Sequence, residues 1–189
     1  IKDRVALRDY YSVSIYFRMF IPSMFPQYNK AIYLDSDIVI NDDIAKLYNV
    51  DIGLNYLGAV LDEVVYSNKD FVYYVREALD VTEKQYFNSG VLIMNLAKFR
   101  RNNIEDDFYN WVNSHDFGAV APDQDYLNVT CKNSVKYLKQ GWNKMPMGKR
   151  LADPDLFLIH YNMFMKPWKY ENLMFEEYLL AHYNERPPH

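Results

Sequence analysis

The sequence predicts an α/β fold in which helices flank a sheet. Short runs of β-branched and aromatic residues alternate along the chain with segments of helical spacing. Two of the runs, 31–34 and 56–61, lead directly into acidic residues. Because ligands of open α/β sheets gather at the carboxyl ends of the strands, this repeated pattern predicts a functional site at one edge of the sheet.

The composition is typical of a single globular domain. The chain has 189 residues, half of them hydrophobic, which is enough to bury a sizeable core. We therefore predict one domain over 1–189, with a C-terminal helical tail over 170–189. The net charge of −4 argues against a nucleic-acid partner, whose phosphates require a basic face. A single cysteine, Cys131, excludes an internal disulfide.

Hydropathy and the two ends of the chain bear on where the protein works. No apolar run is long enough to span a bilayer, and no signal peptide is visible. We expect a cytoplasmic protein. The amphipathic tail lacks a strongly basic face, so we expect at most peripheral contact with the inner side of a membrane. Ile1 is no natural start, and we expect residues upstream of it.

The elements follow from periodicity. Residues 11–24 have helical spacing, with Ser12 as a plausible N-cap, and Pro22 and Pro26 end the pattern. Arg18 lies inside this helix, where an arginine is usually a surface residue whose stem covers apolar neighbours. The remaining predicted elements are strands at 31–34, 38–40, 56–61, 91–94, 135–138 and 156–159 and helices at 44–48, 70–79 and 104–113.

The most informative stretch is KAIYLDSDIVINDD, residues 30–43. Its first apolar run reads as a strand buried on both faces that ends at Leu34. Asp35 and Asp37 then lie at the carboxyl edge of the sheet. Residues two apart on an extended chain point the same way, so both carboxylates could face one cation. The alternative is a solvated turn between two strands, where aspartate is common.

Further polar groups follow later strands. Asp62 ends the strand at 56–61, and Gly90 precedes an apolar strand, where it would let the backbone approach a ligand closely. Asp123 is either an N-cap or a site residue. His160 ends the last strand, and a lone histidine there is usually an ordinary surface or core residue.

Two carboxylates and one imidazole suit a hard divalent ion such as Mn²⁺ better than zinc. Lys166 and Arg18 could supply positive charge to a diphosphate held by that ion. Together with the abundant tyrosines, which suit polar ring-shaped ligands, these groups indicate nucleotide-sugar chemistry.

Five segments carry a resemblance to a known family. In chain order they are YLDSDIVI, YFNSGVLIMNL, PDQDYLNV, GWN and IHYNMFMKPW, and they run from about residue 30 to about residue 168. This ordered set resembles family 8 of the retaining glycosyltransferases, which includes bacterial lipopolysaccharide galactosyl- and glucosyltransferases and is related to glycogenin. The resemblance implies a Rossmann-like mixed sheet flanked by helices, of the GT-A type. The family's first βαβ segment would precede residue 1, so we expect this chain to lack it.

The resemblance also implies roles for individual residues. The ligands of Mn²⁺, or of Mg²⁺, would be Asp35, Asp37 and His160. Donor contacts would come from Arg18, Ser36, Asp62, Asn88, Ser89, Gly90 and Lys166. The pair placed beside the reacting carbon would be Asp123 and Gln124. Met163 stands where the family motif has a glycine, so the loop there would differ or adopt a costly conformation.

The implied activity is Mn²⁺-dependent transfer of a hexose, with retention, from UDP-glucose or UDP-galactose. The acceptor would be a hydroxyl of a glycan, a lipid-linked glycan or a protein in the synthesis of surface glycan or polysaccharide. Two alternatives stay open. A binding or scaffold protein could keep the fold without activity, and a metal-dependent phosphohydrolase would also use paired aspartates.

Overall fold

The computed structural model describes residues 13–114, 121–147, 149–162, 166, 167, 169 and 173–175. The side chains of 112–114 and of Val13 are outside this description. Ser12, Met163 and almost all of the predicted helical tail at 170–189 lie outside the described residues. The N-cap at Ser12, the effect of Met163 and the tail therefore stay predictions.

The strands form two sheets. In chain order they are β1 (Lys30–Leu34), β2 (Ile38–Ile40), β3 (Leu57–Leu61), β4 (Phe87–Asn95), β5 (Val135–Tyr137) and β6 (Leu158–His160). The larger sheet has the order β1-β4-β3-β5, in which β4 runs antiparallel to β1 and β3 while β5 runs parallel to β3. The smaller sheet is the antiparallel pair of β2 and β6. The predicted mixed α/β sheet is therefore confirmed.

Helices pack around the larger sheet. The α-helices are α1 (Ile21–Met24), α2 (Ile44–Tyr48), α3 (Glu63–Ser67), α4 (Lys69–Leu79), α5 (Leu96–Arg101), α6 (Ile104–Ser114) and α7 (Pro122–Cys131), and 3₁₀ helices cover Val13–Phe20, Gln140–Asn143 and Asp153–Asp155. The predicted helices at 44–48, 70–79 and 104–113 match α2, α4 and α6 within one residue. The short helices α3 and α5 and the longer α7 were not among the predicted helices.

The first predicted helix is wrong in type. Residues 13–20 form a 3₁₀ helix, and α1 then begins at Ile21 with Pro22 in its first turn. Proline is tolerated there because its missing N–H would have no partner within the helix in any case. Pro22 therefore starts a helix, where the sequence had suggested that it ends one.

The core is centred on β4. Eight of its nine residues are buried, with Asn95 the exception. Phe108 of α6 lies in the core on one side of the sheet, with its ring 5.5 Å from Tyr16 and 5.0 Å from Tyr126. The prediction that β1 is buried on both faces is wrong, since its five residues are all half-buried. Among the described strands β1 has only β4 as a partner, which places it at the rim of the sheet.

Candidate active site

The topology brings the predicted strand-end acids to one edge. Strands β1 and β3 run in the same direction on either side of β4. Asp35, after β1, donates its backbone N–H to the carbonyl of Gly90 at 2.8 Å, and Asp62, after β3, donates to the carbonyl of Tyr86 at 3.0 Å. Both acids therefore flank the first residues of β4, as the sequence predicted.

The start of β4 is irregular at this edge. Ala59 of β3 pairs with Leu92, whereas the next residue, Val60, pairs with Asn88. Residues 89–91 of β4 therefore have no counterpart on β3, and the ladder opens beside Asp62. The sequence had placed residues 88–90 ahead of the strand. They lie within it instead, because β4 extends to Phe87.

The smaller sheet adds an imidazole to the two aspartates. Ile38 pairs with His160, and Tyr161 donates its backbone N–H to the carbonyl of Asp37 at 2.9 Å. His160 Nε2 consequently lies 3.6 Å from Asp35 Oδ2 and 3.3 Å from Asp37 Oδ1. One ligand atom from each of the three residues lies within 4.8 Å of the others. The two aspartates do connect two strands, but their carboxylates converge instead of facing only solvent.

The carboxylate oxygens that face away from His160 already have partners. Asp35 Oδ1 accepts hydrogen bonds from the Tyr33 hydroxyl at 2.7 Å and from Arg18 Nη2 at 3.1 Å. Asp37 Oδ2 accepts from the Lys166 ammonium group. The remaining oxygen of each aspartate faces the imidazole.

The separations suit a six-coordinate ion. Ligands at about 2.1 Å from such an ion lie about 3 Å apart in neighbouring positions. His160 Nε2 is 3.3 and 3.6 Å from its two carboxylate neighbours. Two carboxylates with one imidazole are a suitable donor set for Mn²⁺ and acceptable for Mg²⁺. The residues present therefore fit the divalent ion that the sequence predicted.

Asp37 is prepared for ligation by its neighbours. Burial opposes its ionisation, but the protonated form of the His160 ring and the Lys166 ammonium group outweigh burial and lower the pKa of Asp37 to about 2. A ligating carboxylate must be ionised. Asp37 meets this condition throughout the neutral range.

Gly90 allows β4 to pass directly against the metal-ligand group. A Cβ atom at this position would overlap the His160 ring and lie 2.7 Å from Asp35 Oδ2. The sequence predicted a close approach of backbone to ligand at Gly90. In the structure the close approach is to the metal-ligating side chains, so glycine is required for their arrangement.

The buried Arg18 side chain forms ion pairs with the carboxylates of Asp35 and Asp123. Its side chain is buried, and Nη1 donates to the carbonyl and hydroxyl oxygens of Ser89 at 2.6 and 2.8 Å. Nε lies 3.2 Å from Asp123 Oδ2, and Nη2 reaches Asp35. The expectation of a surface arginine is therefore wrong, because paired carboxylates compensate the buried charge. A contact between Arg18 and the donor stays a prediction.

Asp123 lies in the first turn of α7 but does not cap it. The N-cap residue is Ala121, Pro122 begins the helix, and Asp123 follows. Its carboxylate turns to Arg18 and accepts from the Ser89 hydroxyl at 3.3 Å. Burial raises the pKa of Asp123, and the charge of Arg18 opposes this effect. The N-cap alternative is thus excluded, and Asp123 belongs to the polar cluster.

A second cluster surrounds Asp62. Its Oδ2 accepts from Asn88 Nδ2 at 3.0 Å and from Gln124 Nε2 at 3.1 Å, while its Oδ1 caps α3 by accepting from the backbone of Val64. Gln124 Oε1 accepts from the backbone N–H of Ser89 at 2.9 Å. Gln124 is half-buried and is held at both ends of its amide.

Two contributors were not predicted as site residues. Tyr33 is the neutral donor to Asp35, and its ring lies under the Arg18 guanidinium at 4.3 Å. Asn143, in the GWN segment, lies 3.0 Å from His160 Nδ1 through its Oδ1. The sequence marks Asn143 only as part of a motif, since an asparagine between apolar elements carries no sign of its partner.

The other predicted residues are placed as follows. Ser36 is exposed in the bend between β1 and β2, so its predicted contact with the nucleotide stays a prediction. Lys166 Nζ also donates to the carbonyl of Tyr161 at 2.9 Å. Its ammonium group therefore lies beside the metal-ligand cluster, where a diphosphate would be held.

Comparison with known proteins defines the class of this fold and site. The profile of glycosyl transferase family 8 matches residues 2–172. A relative from Haemophilus influenzae that is named as a glycosyltransferase is 33% identical over 143 residues, which cover 76% of this chain and 42% of the relative. General stress protein A of Bacillus subtilis is 31% identical over 134 residues, covering 68% of this chain and 44% of that protein.

A solved structure shows the same architecture. The galactosyltransferase LgtC, in complex with donor and acceptor sugar analogues, aligns with a TM-score of 0.79 and 26% identity over 99% of this chain and 73% of that chain. The chain belongs to glycosyltransferase family 8. It spans less than half the length of the two curated relatives named above. Within the described residues, no helix combines the length and apolar character needed to cross a membrane.

Proposed function

We propose that the protein is a metal-dependent retaining hexosyltransferase that uses UDP-glucose or UDP-galactose as its donor. The acceptor is a hydroxyl group of a glycan, a lipid-linked glycan or a protein, in the synthesis of a surface glycan or polysaccharide. The observation that supports this best is the convergence of Asp35, Asp37 and His160 in a member of family 8. A divalent cation held by these three side chains would neutralise the diphosphate of a sugar nucleotide.

Charge on the departing diphosphate is the main requirement of the reaction. Mn²⁺ held by the three ligands would neutralise part of that charge. Lys166 adds a second positive charge at the same place, because its ammonium group is bonded to Asp37. We assign Lys166 to the diphosphate for this reason.

The bonds balance without a protein nucleophile. The bond between the anomeric carbon and the UDP oxygen breaks, and the acceptor oxygen bonds to that carbon on the same face. The acceptor proton passes to a phosphate oxygen of the leaving UDP. Gln124 is an amide and a poor nucleophile, and Asp123 is buried and held by Arg18 and Ser89. We therefore assign Asp123 and Gln124 an orienting role, which a trapped glycosyl adduct on Asp123 would refute.

We assign the polar contacts of the hexose to the Asp62 cluster, in which Asp62 and Asn88 are buried and Gln124 is half-buried. Asp62 and Asn88 lie beside the irregular start of β4, and Gln124 joins them from α7. Carboxylate and amide groups are suitable partners for sugar hydroxyls, since they accept and donate in fixed directions. The backbone N–H groups of Ser89 and Gly90 hold Gln124 and Asn88 in this cluster.

The test is release of UDP from a panel of UDP-hexoses by the longest natural form of the protein, with and without Mn²⁺. We expect release to require the metal and to fall at least about a hundredfold in Asp37→Asn, which loses one ligand charge. Asp42→Asn is the matched control, since Asp42 is an acid in the same segment that pairs with Lys46 outside the cluster.

Two results would overturn the proposal. Absence of UDP release from a form that binds Mn²⁺ would favour the scaffold alternative. Hydrolysis of a simple phosphate ester in place of sugar transfer would favour the phosphohydrolase.

A further inference from the structure

Asn143 connects the two clusters of the site. It is the last residue of the 3₁₀ helix Gln140–Asn143 and has no exposed surface. Its Nδ2 donates to Asn88 Oδ1 at 2.9 Å, and its Oδ1 lies 3.0 Å from His160 Nδ1. One amide therefore touches both a predicted metal ligand and a predicted donor residue, without lining the metal position itself.

The orientation of the neighbouring amide follows from the backbone. The N–H of Gly90 donates to Asn88 Oδ1 at 2.9 Å, and a backbone N–H can only donate. The oxygen of Asn88 must therefore face Gly90. Its nitrogen then faces Asp62 Oδ2, a carboxylate oxygen that accepts. Both contacts require the same orientation of Asn88.

This orientation determines that of Asn143. Because Asn88 Oδ1 is an acceptor, Asn143 must turn its nitrogen toward Asn88 and its oxygen toward His160. A flipped Asn143 would set two oxygens against each other. A flip of both amides would set Asn88 nitrogen against the Gly90 N–H and Asn88 oxygen against Asp62. The pattern is consistent in one direction only.

We infer that Asn143 is a positioning residue that fixes the tautomer of His160. An amide oxygen only accepts, so His160 Nδ1 carries a proton, and in the neutral ring Nε2 then presents its lone pair toward Asp35 and Asp37. This is the tautomer that a ligand of a cation through Nε2 requires. The inference deepens the proposed function, on which it rests for the presence of the ion alone.

The hydrogen bonds that determine amide orientation extend to Gln124, one of the two residues assigned an orienting role. The backbone N–H of Ser89 fixes Gln124 Oε1 as an acceptor, so Gln124 Nε2 faces Asp62. Two consecutive backbone N–H groups of β4, from Ser89 and Gly90, thus determine the polarity of the whole chain of side chains. This series of hydrogen-bonded side chains begins at His160 and ends at Gln124. Asn143 is the member that contacts His160 and therefore determines its tautomer.

The test measures the tautomer in metal-free protein. Nitrogen-15 in the histidine rings is observed by long-range proton correlation, at a pH where the imidazole is neutral. The chain has four histidines, and His160→Gln identifies the signal of His160. We expect the Nδ1–H form in the wild type and a shift toward the Nε2–H form in Asn143→Ala. Mn²⁺ affinity, measured by calorimetry, should fall about 10–100-fold in Asn143→Ala.

Asn143→Asp is the conservative variant. Its carboxylate keeps an acceptor for His160 Nδ1, so the Nδ1–H form and an Mn²⁺ affinity within about threefold of the wild type are expected. Both variants lose the donor to Asn88, and in Asn143→Asp an oxygen replaces that donor, so only the acceptor kept for His160 Nδ1 would explain an Mn²⁺ affinity retained in Asn143→Asp and lost in Asn143→Ala. Should Asn143→Ala fail to fold, the wild-type tautomer and Asn143→Asp still decide.

Asn128→Ala is the matched control. Asn128 is an equally buried amide that bonds to β4, but it contacts the backbone of Phe87 and not His160. A merely structural role for Asn143 predicts the same result for both alanine variants. We expect Asn128→Ala to lower stability and to leave the tautomer and the Mn²⁺ affinity unchanged.

Three results would overturn the inference. They are the Nε2–H form in the wild type, an unchanged tautomer in Asn143→Ala, and equal Mn²⁺ losses in Asn143→Ala and Asn128→Ala. A wild type that shows the Nδ1–H form but binds no Mn²⁺ would support the inference and refute the metal-dependent function. The two proposals therefore fail separately.

Discussion

Single residues decide how closely the strand can approach the metal ligands. The irregular start of β4 brings Gly90 against the His160 ring and Asp35. Neither contact can be predicted from the sequence, because a glycine indicates only that a side chain would not fit at its position. The residue type at position 90 could be predicted to matter, whereas the identity of its neighbours depends on the pairing of β2 with β6.

Gly90→Ala should abolish Mn²⁺ binding while the fold persists. The added Cβ would overlap the imidazole, so His160 must leave its position and the three ligands can no longer converge. Calorimetric titration with Mn²⁺ measures the loss, which we expect to exceed about a hundredfold, because one ligand is displaced. Circular dichroism checks that the protein is folded.

Gly53→Ala controls for the general cost of replacing a glycine. Gly53 has a φ of +54° and open space around its Cβ position. The left-handed backbone makes alanine unfavourable there by about 1 kcal/mol, with no effect on the ligands. Unchanged Mn²⁺ affinity in Gly90→Ala would show that Mn²⁺ binding does not depend on the position of His160.

The contribution of Asp125 to the free energy of unfolding should fall as the pH rises, opposite to that of a carboxylate whose pKa is lowered on folding. Burial raises the pKa of Asp125, while hydrogen bonds from the hydroxyls of Tyr86 and Tyr74 and from the backbone of Ala121 oppose this. The folded state then binds the proton more tightly than the unfolded state. Stability contributed by Asp125 is therefore fully present at low pH and decreases as pH rises above the ordinary value of 3.8.

Asp125→Asn tests this sign, because asparagine keeps an acceptor and does not titrate. We expect the free energy of unfolding of the variant, relative to the wild type, to rise between about pH 4 and pH 7. Urea denaturation at a series of pH values measures the difference. A difference that falls with pH would mean that the three donors outweigh burial.

Among the elements, the amphipathic helices and the apolar strands could be predicted from the sequence. The packing contacts between the elements could not. Helices α4 and α6 have clear apolar faces, and their predicted bounds agree with the structure. The apolar residues of the 3₁₀ helix at Val13–Phe20 have a spacing that would also suit an α-helix, so periodicity does not distinguish the two helix types. The docking of α7 on β4 depends on polar side chains that meet across 41 residues of sequence.

Asn128 is the main polar contact of that docking. Its Oδ1 accepts from the backbone N–H of Phe87 at 2.8 Å, and its Nδ2 donates to the carbonyl of Phe87 at 2.9 Å. It thereby continues the hydrogen bonding of β4 on the side of the helix.

Asn128→Ala should lower the free energy of unfolding by about 2–4 kcal/mol. It leaves a buried N–H and a buried C=O without partners, each at a cost of about 1–3 kcal/mol before relaxation. Urea denaturation measures the change. Asn49→Ala, at the exposed C-cap of α2, should change the same quantity by less than about 0.5 kcal/mol. Equal effects of the two variants would show that Phe87 finds other partners.

At the scale of the whole molecule, the sequence predicted the sheet edge at which the candidate site lies. It did not predict the hydrogen bonds and ion pairs within the site. Strand-end acids and a histidine could be placed at one edge because sheet topology obeys general rules. The burial of Arg18 could not, since its partners Ser89 and Asp123 come from distant parts of the chain. The orientation of the amides around Asp62 is likewise a consequence of packing, not of any local pattern.

The three predicted metal ligands come from distant parts of the described chain, so an ion bound there should stabilise the molecule as a whole. Asp35 and Asp37 follow β1, whereas His160 ends β6, and the unfolded chain has no reason to bring them together. Mn²⁺ would therefore bind the folded state far more tightly than the unfolded state. At a hundred times its Kd, the stabilisation is about 2.7 kcal/mol, which corresponds to a rise in Tm of roughly 5–10 °C for a chain of this size.

Thermal unfolding after treatment with a chelator, and again after adding Mn²⁺, measures this rise. Asp37→Asn and Gly90→Ala should each show almost no shift, because one removes a ligand and the other displaces one. Asp42→Asn should shift like the wild type, since Asp42 lies outside the cluster. A rise of equal size in Asp37→Asn would mean that Mn²⁺ stabilises the protein elsewhere. The three converging side chains would then be held by their protein partners, Arg18 and Tyr33 at Asp35, Lys166 at Asp37 and Asn143 at His160.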